Sequence, residues 1–145
     1  MILEKLVAIS GKSGLFSMVG NRSNGLIVEE LDTQKRFFAS SRMHQFTPLA
    51  SISIYTEDEE NTVELREVML RMLVAMTNLP VEDANADSTK LRQYFSQIMP
   101  EHDRERVLIS DIKKLIKWFQ FLHAKGLITE TNLQKPASTD VEEEA

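Results

Sequence analysis

Few residues in this chain of 145 have the type and spacing to do chemistry. Gly11-Lys12-Ser13 invites comparison with a phosphate-binding loop. That loop needs a further glycine five residues before its Gly-Lys pair, so that backbone amides wrap the phosphates. Here that position is Leu6, inside an apolar run. The lysine should also open a helix whose N-terminus receives the charge, whereas Gly14-Leu15-Phe16 reads as the start of a strand. The loop is read as a β-turn. His44, His102 and His123 lie far apart, and none has a second ligand at metal spacing. His102 falls in the charged run EHDRER and is expected on a solvated face. His123 follows Phe119 by one helical turn, where it caps or packs. Serines and carboxylates are plentiful, but none sits in a nucleophile or paired-acid pattern. Cysteine is absent, which removes disulfides, thiolate metal sites and thiol nucleophiles, and fits a reducing cytoplasm. No catalytic residue, cofactor site or metal ligand is assigned, and an enzyme is not expected.

Two groups of residues could bind rather than react. Met69, Met72 and Met76 recur on one helical stripe with Leu70 beside them. Thioethers repack easily, so these four form a candidate interface, with a second copy of the chain as the expected partner. Ordinary core is the favoured reading of the three methionines, and the interface is the sharper one. The second group is basic: Lys12, Arg22, Lys35, Arg36 and Arg42 in the first part of the chain, and Lys113, Lys114 and Lys117 on one polar helical side. These could meet nucleic-acid phosphates, although such lysines more often keep an amphipathic helix soluble.

The elements that must position these residues follow from periodicity. Ser110–Gly126, SDIKKLIKWFQFLHAKG, carries Ile112, Leu115, Ile116, Phe119 and Leu122 at helical spacing, widened by Trp118 and Phe121. Each such side chain is worth roughly 1.5–3 kcal/mol when buried, so this helix is the main beam of the core, and Trp118 is expected inside it. Ser110 is the expected cap and Gly126 the exit. Before it, Leu6–Ile9, Leu15–Val19, Leu26–Leu31, Arg36–Ala39 and Ser51–Thr56 read as strands, with Asn24-Gly25 as a hairpin turn. Helices are expected from about Val63 to Thr77, capped by Asn61 or Thr62, and from Ser88 to Pro100.

The apolar fraction of 42% supports a real core. The net charge of −5 is uneven. Residues 1–56 hold six Lys/Arg against four Asp/Glu, and residues 57–145 hold eleven against eighteen. An acidic total disfavours nonspecific nucleic-acid binding by the whole surface. The start MILEKLVAIS has an apolar run too short for a signal core or a membrane span, so a soluble cytoplasmic protein without membrane contact is expected.

The segments LVAISGKSGLFSMV, NGLIVEELDTQKRF, SISIYT and RVLISDIKKLIKWFQFLHAKGL together resemble a family of small uncharacterised conserved proteins of Bacteroidetes-type bacteria. The resemblance covers roughly residues 1–128. It implies an N-terminal β module followed by a helical module, and brings no activity or site residues with it.

The expected fold is therefore α+β. Residues 1–56 form a small antiparallel β-barrel or curled meander of SH3-like size, residues 57–128 a module of three to four helices, and residues 129–145 a disordered acidic tail. The expected function is a non-enzymatic protein-interaction module, with self-association as one form. A nucleic-acid-binding accessory protein is the alternative, and a small-molecule sensor with its ligand between the modules is a third reading.

Overall fold

The computed structural model describes residues 1–134. Residues 135–145, which hold the acidic run of the expected tail, lie outside the described residues.

Five strands make one antiparallel sheet: β1 (Leu6–Ile9), β2 (Phe16–Arg22), β3 (Gly25–Glu30), β4 (Arg36–Ser40) and β5 (Phe46–Pro48), in the order β4-β3-β2-β1-β5. Side chains alternate between faces, so the registers Val7↔Phe16, Ile9↔Phe46, Val28↔Phe37 and Leu26↔Ala39 bring the apolar members of all five strands together. They form a small core of the sheet's own. Within it the rings of Phe16 and Phe37 meet edge to face at 5.7 Å. The β2–β3 register shifts between Met18 and Gly20, a bulge that steepens the local twist and curls the sheet over this core. The sheet does not close into the expected barrel. Its edge strand β5 has three residues and ends in Pro48, which has no N–H to donate to a further partner.

Two turn and strand expectations are corrected. Arg22 pairs with Gly25, which puts the hairpin loop at Ser23-Asn24, and neither Asn24 nor Gly25 has a positive φ. Gly25 is needed for closeness instead, since a Cβ there would overlap the Ala39 carbonyl on β4. The strand expected over Ser51–Thr56 does not complete the meander. A 3-10 turn occupies Leu49–Ser51, and Ser53–Tyr55 (β6) pairs forward with Thr62–Glu64 (β7) in a separate hairpin. The meander's fifth strand is β5, in the stretch between the strands expected at Arg36–Ala39 and Ser51–Thr56.

Among the described residues four helices follow: α1 (Leu65–Ala75), α2 (Ser88–Ile98), α3 (Ile109–Ala124) and α4 (Glu130–Leu133). α1 starts later than expected because β7 takes Thr62–Glu64, and neither Asn61 nor Thr62 is its cap. The Asp87 carboxylate, one residue before the expected Ser88, accepts the Lys90 N–H at 2.9 Å and starts α2. In α3 the five periodic residues Ile112, Leu115, Ile116, Phe119 and Leu122 are all buried. Its N-terminus is closed by the Asp111 carboxylate, which accepts the Leu108 N–H at 3.0 Å, rather than by Ser110. Gly126 ends the helix at φ 73°, a left-handed turn that glycine takes without steric cost.

The tail expectation is corrected in part. Thr129 caps α4 by accepting the Asn132 N–H at 3.0 Å, and Leu133 is fully buried. Four residues are too short a run to display a helical period. α4 packs on α1, where the Arg66 guanidinium donates to Leu133 O at 3.1 Å. Of the four residues read as a candidate interface on α1, Met69 and Met72 are fully buried within the chain itself, which places these two in its core, while Leu70 and Met76 are half-buried. The second apolar side of α1 is covered by α4 and by the turn at Leu49–Ser51. Leu3, Leu6, Leu15 and Leu49 join the buried residues of all four helices in one large cluster, so the sheet is built into the helical core along one side.

Candidate functional site

A cleft of about 610 Å³ opens where the sheet meets α3. One wall is the β1–β2 turn, Ser10 to Lys12, with Gln45 and Thr47 from around β5. β6 lines the second side, and Asp111, Lys114, Leu115 and Trp118 of α3 line the third. Ile52, Leu65 and Val107 add apolar surface. The β1–β2 turn can take its shape because Gly11 and Gly14 have φ of 79° and 81°, in the left-handed region that other residues avoid. A tight β-turn thus spans residues 9–12, with Ser10 and Gly11 at its centre: Lys12 N–H donates back to Ile9 O at 3.1 Å and no helix follows.

Trp118, expected in the core, is half-buried and lines the cleft. It lies between Ile116 and Phe119, which take the core, so its own direction is to one side of the buried stripe. Periodicity could have marked this, because Trp118 lies off the Ile112-Leu115-Phe119-Leu122 line. Three cations also line the cleft: Lys12, Lys114 and Arg106. Arg106 is already engaged. Its Nε contacts Asp103 Oδ2 at 2.8 Å, an Nη donates to Thr56 O at 3.2 Å, and the guanidinium lies 4.3 Å from the Tyr55 ring centre. The Arg106 side chain and the N–H groups of Arg106 and Glu105 hold the Asp103 carboxyl below its usual range. The Lys12 ammonium lies 5.1 Å from the Phe37 ring centre. The Asp111 carboxylate is occupied by the helix N-terminus.

Of the basic residues singled out from sequence, the fold brings Lys12 and Lys114 to one cleft. It places the others elsewhere. Arg22 is at the β2–β3 hairpin end, donating to Asn21 O at 2.9 Å. Arg36 pairs with Glu29 across strands at 2.9 Å. Lys35 and Arg42 are exposed in turns, Lys117 is exposed on α3 and Lys113 is half-buried.

His102 is a correction: it is completely buried. Nδ1 is 2.7 Å from Met99 O and Nε2 is 3.2 Å from an Arg92 Nη, which also donates to Val107 O at 2.8 Å. The carbonyl requires a proton on Nδ1, and the guanidinium requires a lone pair on Nε2, so this geometry selects the neutral ring. Burial pushes its pKa down, as do the nearby Arg104 and Arg92, against the Met99 carbonyl and Glu57 acting upward. The segment around it bonds to the end of β6: Thr56 and His102 form an antiparallel bridge, and Asp103 N–H donates to Tyr55 O at 3.0 Å. A charged run therefore conceals a buried joint. His44 Nδ1 contacts Ser10 O at 3.0 Å, and the His123 ring stacks on Phe119 at 5.7 Å. Among the described residues, no group of three or more His, Asp or Glu could hold a metal ion.

An open curled sheet built into a four-helix core, with a cleft at the seam, defines a small two-part α+β protein. Residues 3–49 match the domain of unknown function DUF5606, and residues 52–122 match the domain of unknown function DUF6852. The two matches meet at the 3-10 turn between β5 and β6. A solution NMR structure of a structural-genomics target from Bacteroides vulgatus is 36% identical. The match covers 88% of this chain and 89% of that one, with a TM-score of 0.67. The chain belongs to the same family as that protein, a Bacteroidetes-type family of unknown function with an N-terminal β part and a C-terminal helical part. No curated protein matches it. No helix of the described residues is long and apolar enough to cross a membrane.

Proposed function

We propose that this protein is a non-enzymatic interaction module that holds a segment of a protein partner in the cleft between its sheet and α3. The observation that carries this reading is the lining of the cleft. Apolar groups from Ile54, Leu65, Leu115 and Trp118 share the cleft with the exposed Lys12 and Lys114, which form its charged rim in this reading. Apolar area with a few charges at its edge suits a site that retains a ligand. The carboxylate in the cleft, Asp111, is bonded to a backbone N–H, and Arg106 is bonded to Asp103. Both groups thus have structural roles within the chain, which supports a reading of binding rather than catalysis.

The test is a pull-down from native cell extract, with and without nuclease, using the wild-type chain and the double variant Lys12→Glu/Lys114→Glu. A protein captured by the wild type after nuclease treatment and lost by the variant supports the reading. Capture that disappears with nuclease favours nucleic acid as the partner. Equal capture by both chains places the interaction away from the cleft.

A further inference from the structure

One edge of β6 faces this cleft with main-chain groups to offer. Leu65 N–H donates to Ile52 O at 2.9 Å while the Ile52 N–H donates back to Leu49 O at 3.2 Å, so the Ile52 carbonyl, and by alternation the main-chain groups of Ile54, point toward β7. Those of Ser53 and Tyr55 point the other way. The Tyr55 end of that edge is already engaged. The bridge between Thr56 and His102, the bond from Asp103 N–H to Tyr55 O and the bond from Glu57 N–H to Glu101 O at 2.9 Å make a short antiparallel pairing with residues 101–103. That segment then turns away, closed by Val107 N–H on Asp103 O at 2.9 Å. The ladder is begun at Tyr55 and stops short of Ser53, which lines the cleft.

We infer that the cleft binds its partner by strand addition: an extended acidic peptide segment pairs with the Ser53 edge of β6 and continues the ladder begun by residues 101–103. This rests on the protein-interaction reading above and deepens it. An exposed strand edge is a template for another chain, and main-chain bonds supply affinity while alternate side chains supply specificity. A strand lying there sends every second side chain to the apolar floor at Leu115 and Trp118, and the others to the rim. The rim fixes the charge of those others. Lys12, with its ammonium 5.1 Å from the Phe37 ring centre, lines the cleft from the sheet and Lys114 and Arg106 line it from the helical side, three cations against the one exposed carboxylate of Asp111, which accepts the Leu108 N–H. The fitting segment alternates apolar residues with Asp or Glu.

The experiment uses the full chain, labelled with nitrogen-15, and three end-capped synthetic hexapeptides. One alternates Val and Glu, one alternates Val and Lys, and one is the Val/Glu peptide with alternate backbone nitrogens methylated. Expected on titration of the Val/Glu peptide are saturable shifts of the Ser53 and Tyr55 amides and of the Trp118 indole N–H. The Val/Lys and N-methylated peptides should each bind about tenfold more weakly or worse, as should the Val/Glu peptide to the Lys12→Glu/Lys114→Glu variant. Equal binding of methylated and unmethylated peptides overturns strand addition, while leaving the cleft as a site that captures side chains. No saturable shift at these residues with any peptide also overturns it. A partner in the pull-down that depends on Lys12 and Lys114 would then still uphold the broader reading. A short single-stranded oligonucleotide that moves the same signals more strongly than the peptide overturns the choice of ligand.

Discussion

Trp118 and Phe119 are neighbours on α3, yet one is half-buried at the cleft and the other is 1% exposed in the core. β6 divides in the same way. At its Tyr55 end Thr56 is buried, and its hydroxyl lies 2.9 Å and 2.8 Å from the carbonyls of Asp58 and Asn61. His102 and Arg106 complete that joint. At its Ser53 end the strand borders an open cleft. The sealed side of each element satisfies its polar groups internally and packs its apolar ones, which fixes the open side in place. A binding edge held by a sealed joint does not have to be ordered when the ligand arrives, and that ordering is the main cost of binding with loose segments. Changes on the sealed side should therefore cost stability, whereas changes on the open side should cost binding.

The largest stability effect is expected from Phe119→Ala. It empties a fully packed position and should cost roughly 3–5 kcal/mol in urea or guanidinium unfolding. Trp118→Ala removes a larger side chain but should cost only about 1–2 kcal/mol, because part of that ring already meets water. Equal losses from the two would erase the distinction between the sides of α3.

The joint at His102 gives the next contrast, and it depends on pH. The folded state holds the imidazole neutral, with its pKa below the ordinary value near 6.5. A base whose folded pKa is depressed contributes stability that is fully present above the unfolded pKa. That stability is lost as pH falls from about 6.5 toward the lower folded value, because the unfolded chain takes up the proton first. Unfolding free energy measured between pH 8 and pH 5 should fall in that window. The His102→Gln variant should be less stable at pH 8, by about 1–3 kcal/mol if one buried bond is left unmade, and should lack the part of the slope due to His102. A variant with the wild-type slope would assign the pH dependence to other groups.

The sequence made the main beam, the four strands of the meander and the buried stripe of α3 legible, because long periodic runs declare their faces. What it concealed has physical reasons. β5 is three residues with a proline, too short to show alternation, whereas SISIYT alternates well and reads as the sheet's fifth strand but pairs with β7. α4 has one buried residue, Leu133, and no period. Without it α1 looked over-supplied with apolar surface, and Met69 and Met72 looked like an interface. His102 sits in a run of charges whose side chains point outward around one buried ring. Lys12 and Lys114 both stand out as basic candidates, but no spacing rule connects residues about a hundred positions apart. Their meeting at one cleft is a property of the fold.

The smallest effect on stability is expected at the rim. Lys12→Ala should move the melting temperature little, within the roughly ±0.5 kcal/mol of ordinary surface substitutions, since it loses only an exposed contact with the Phe37 ring. The turn itself should persist, because its shape rests on Gly11 and Gly14 and on the bond from Lys12 N–H to Ile9 O, which alanine retains. Adding ATP or GTP should leave the melting temperature of both chains unchanged. A nucleotide-dependent rise in the wild type that vanishes in Lys12→Ala would instead make this turn a phosphate site. Combined with Lys114→Ala, the substitution should still leave stability nearly untouched and yet weaken binding of the Val/Glu peptide about tenfold. If the double variant lost stability and binding together, the rim would belong to the sealed side, and the division between the two sides would fail at the place where it is most needed.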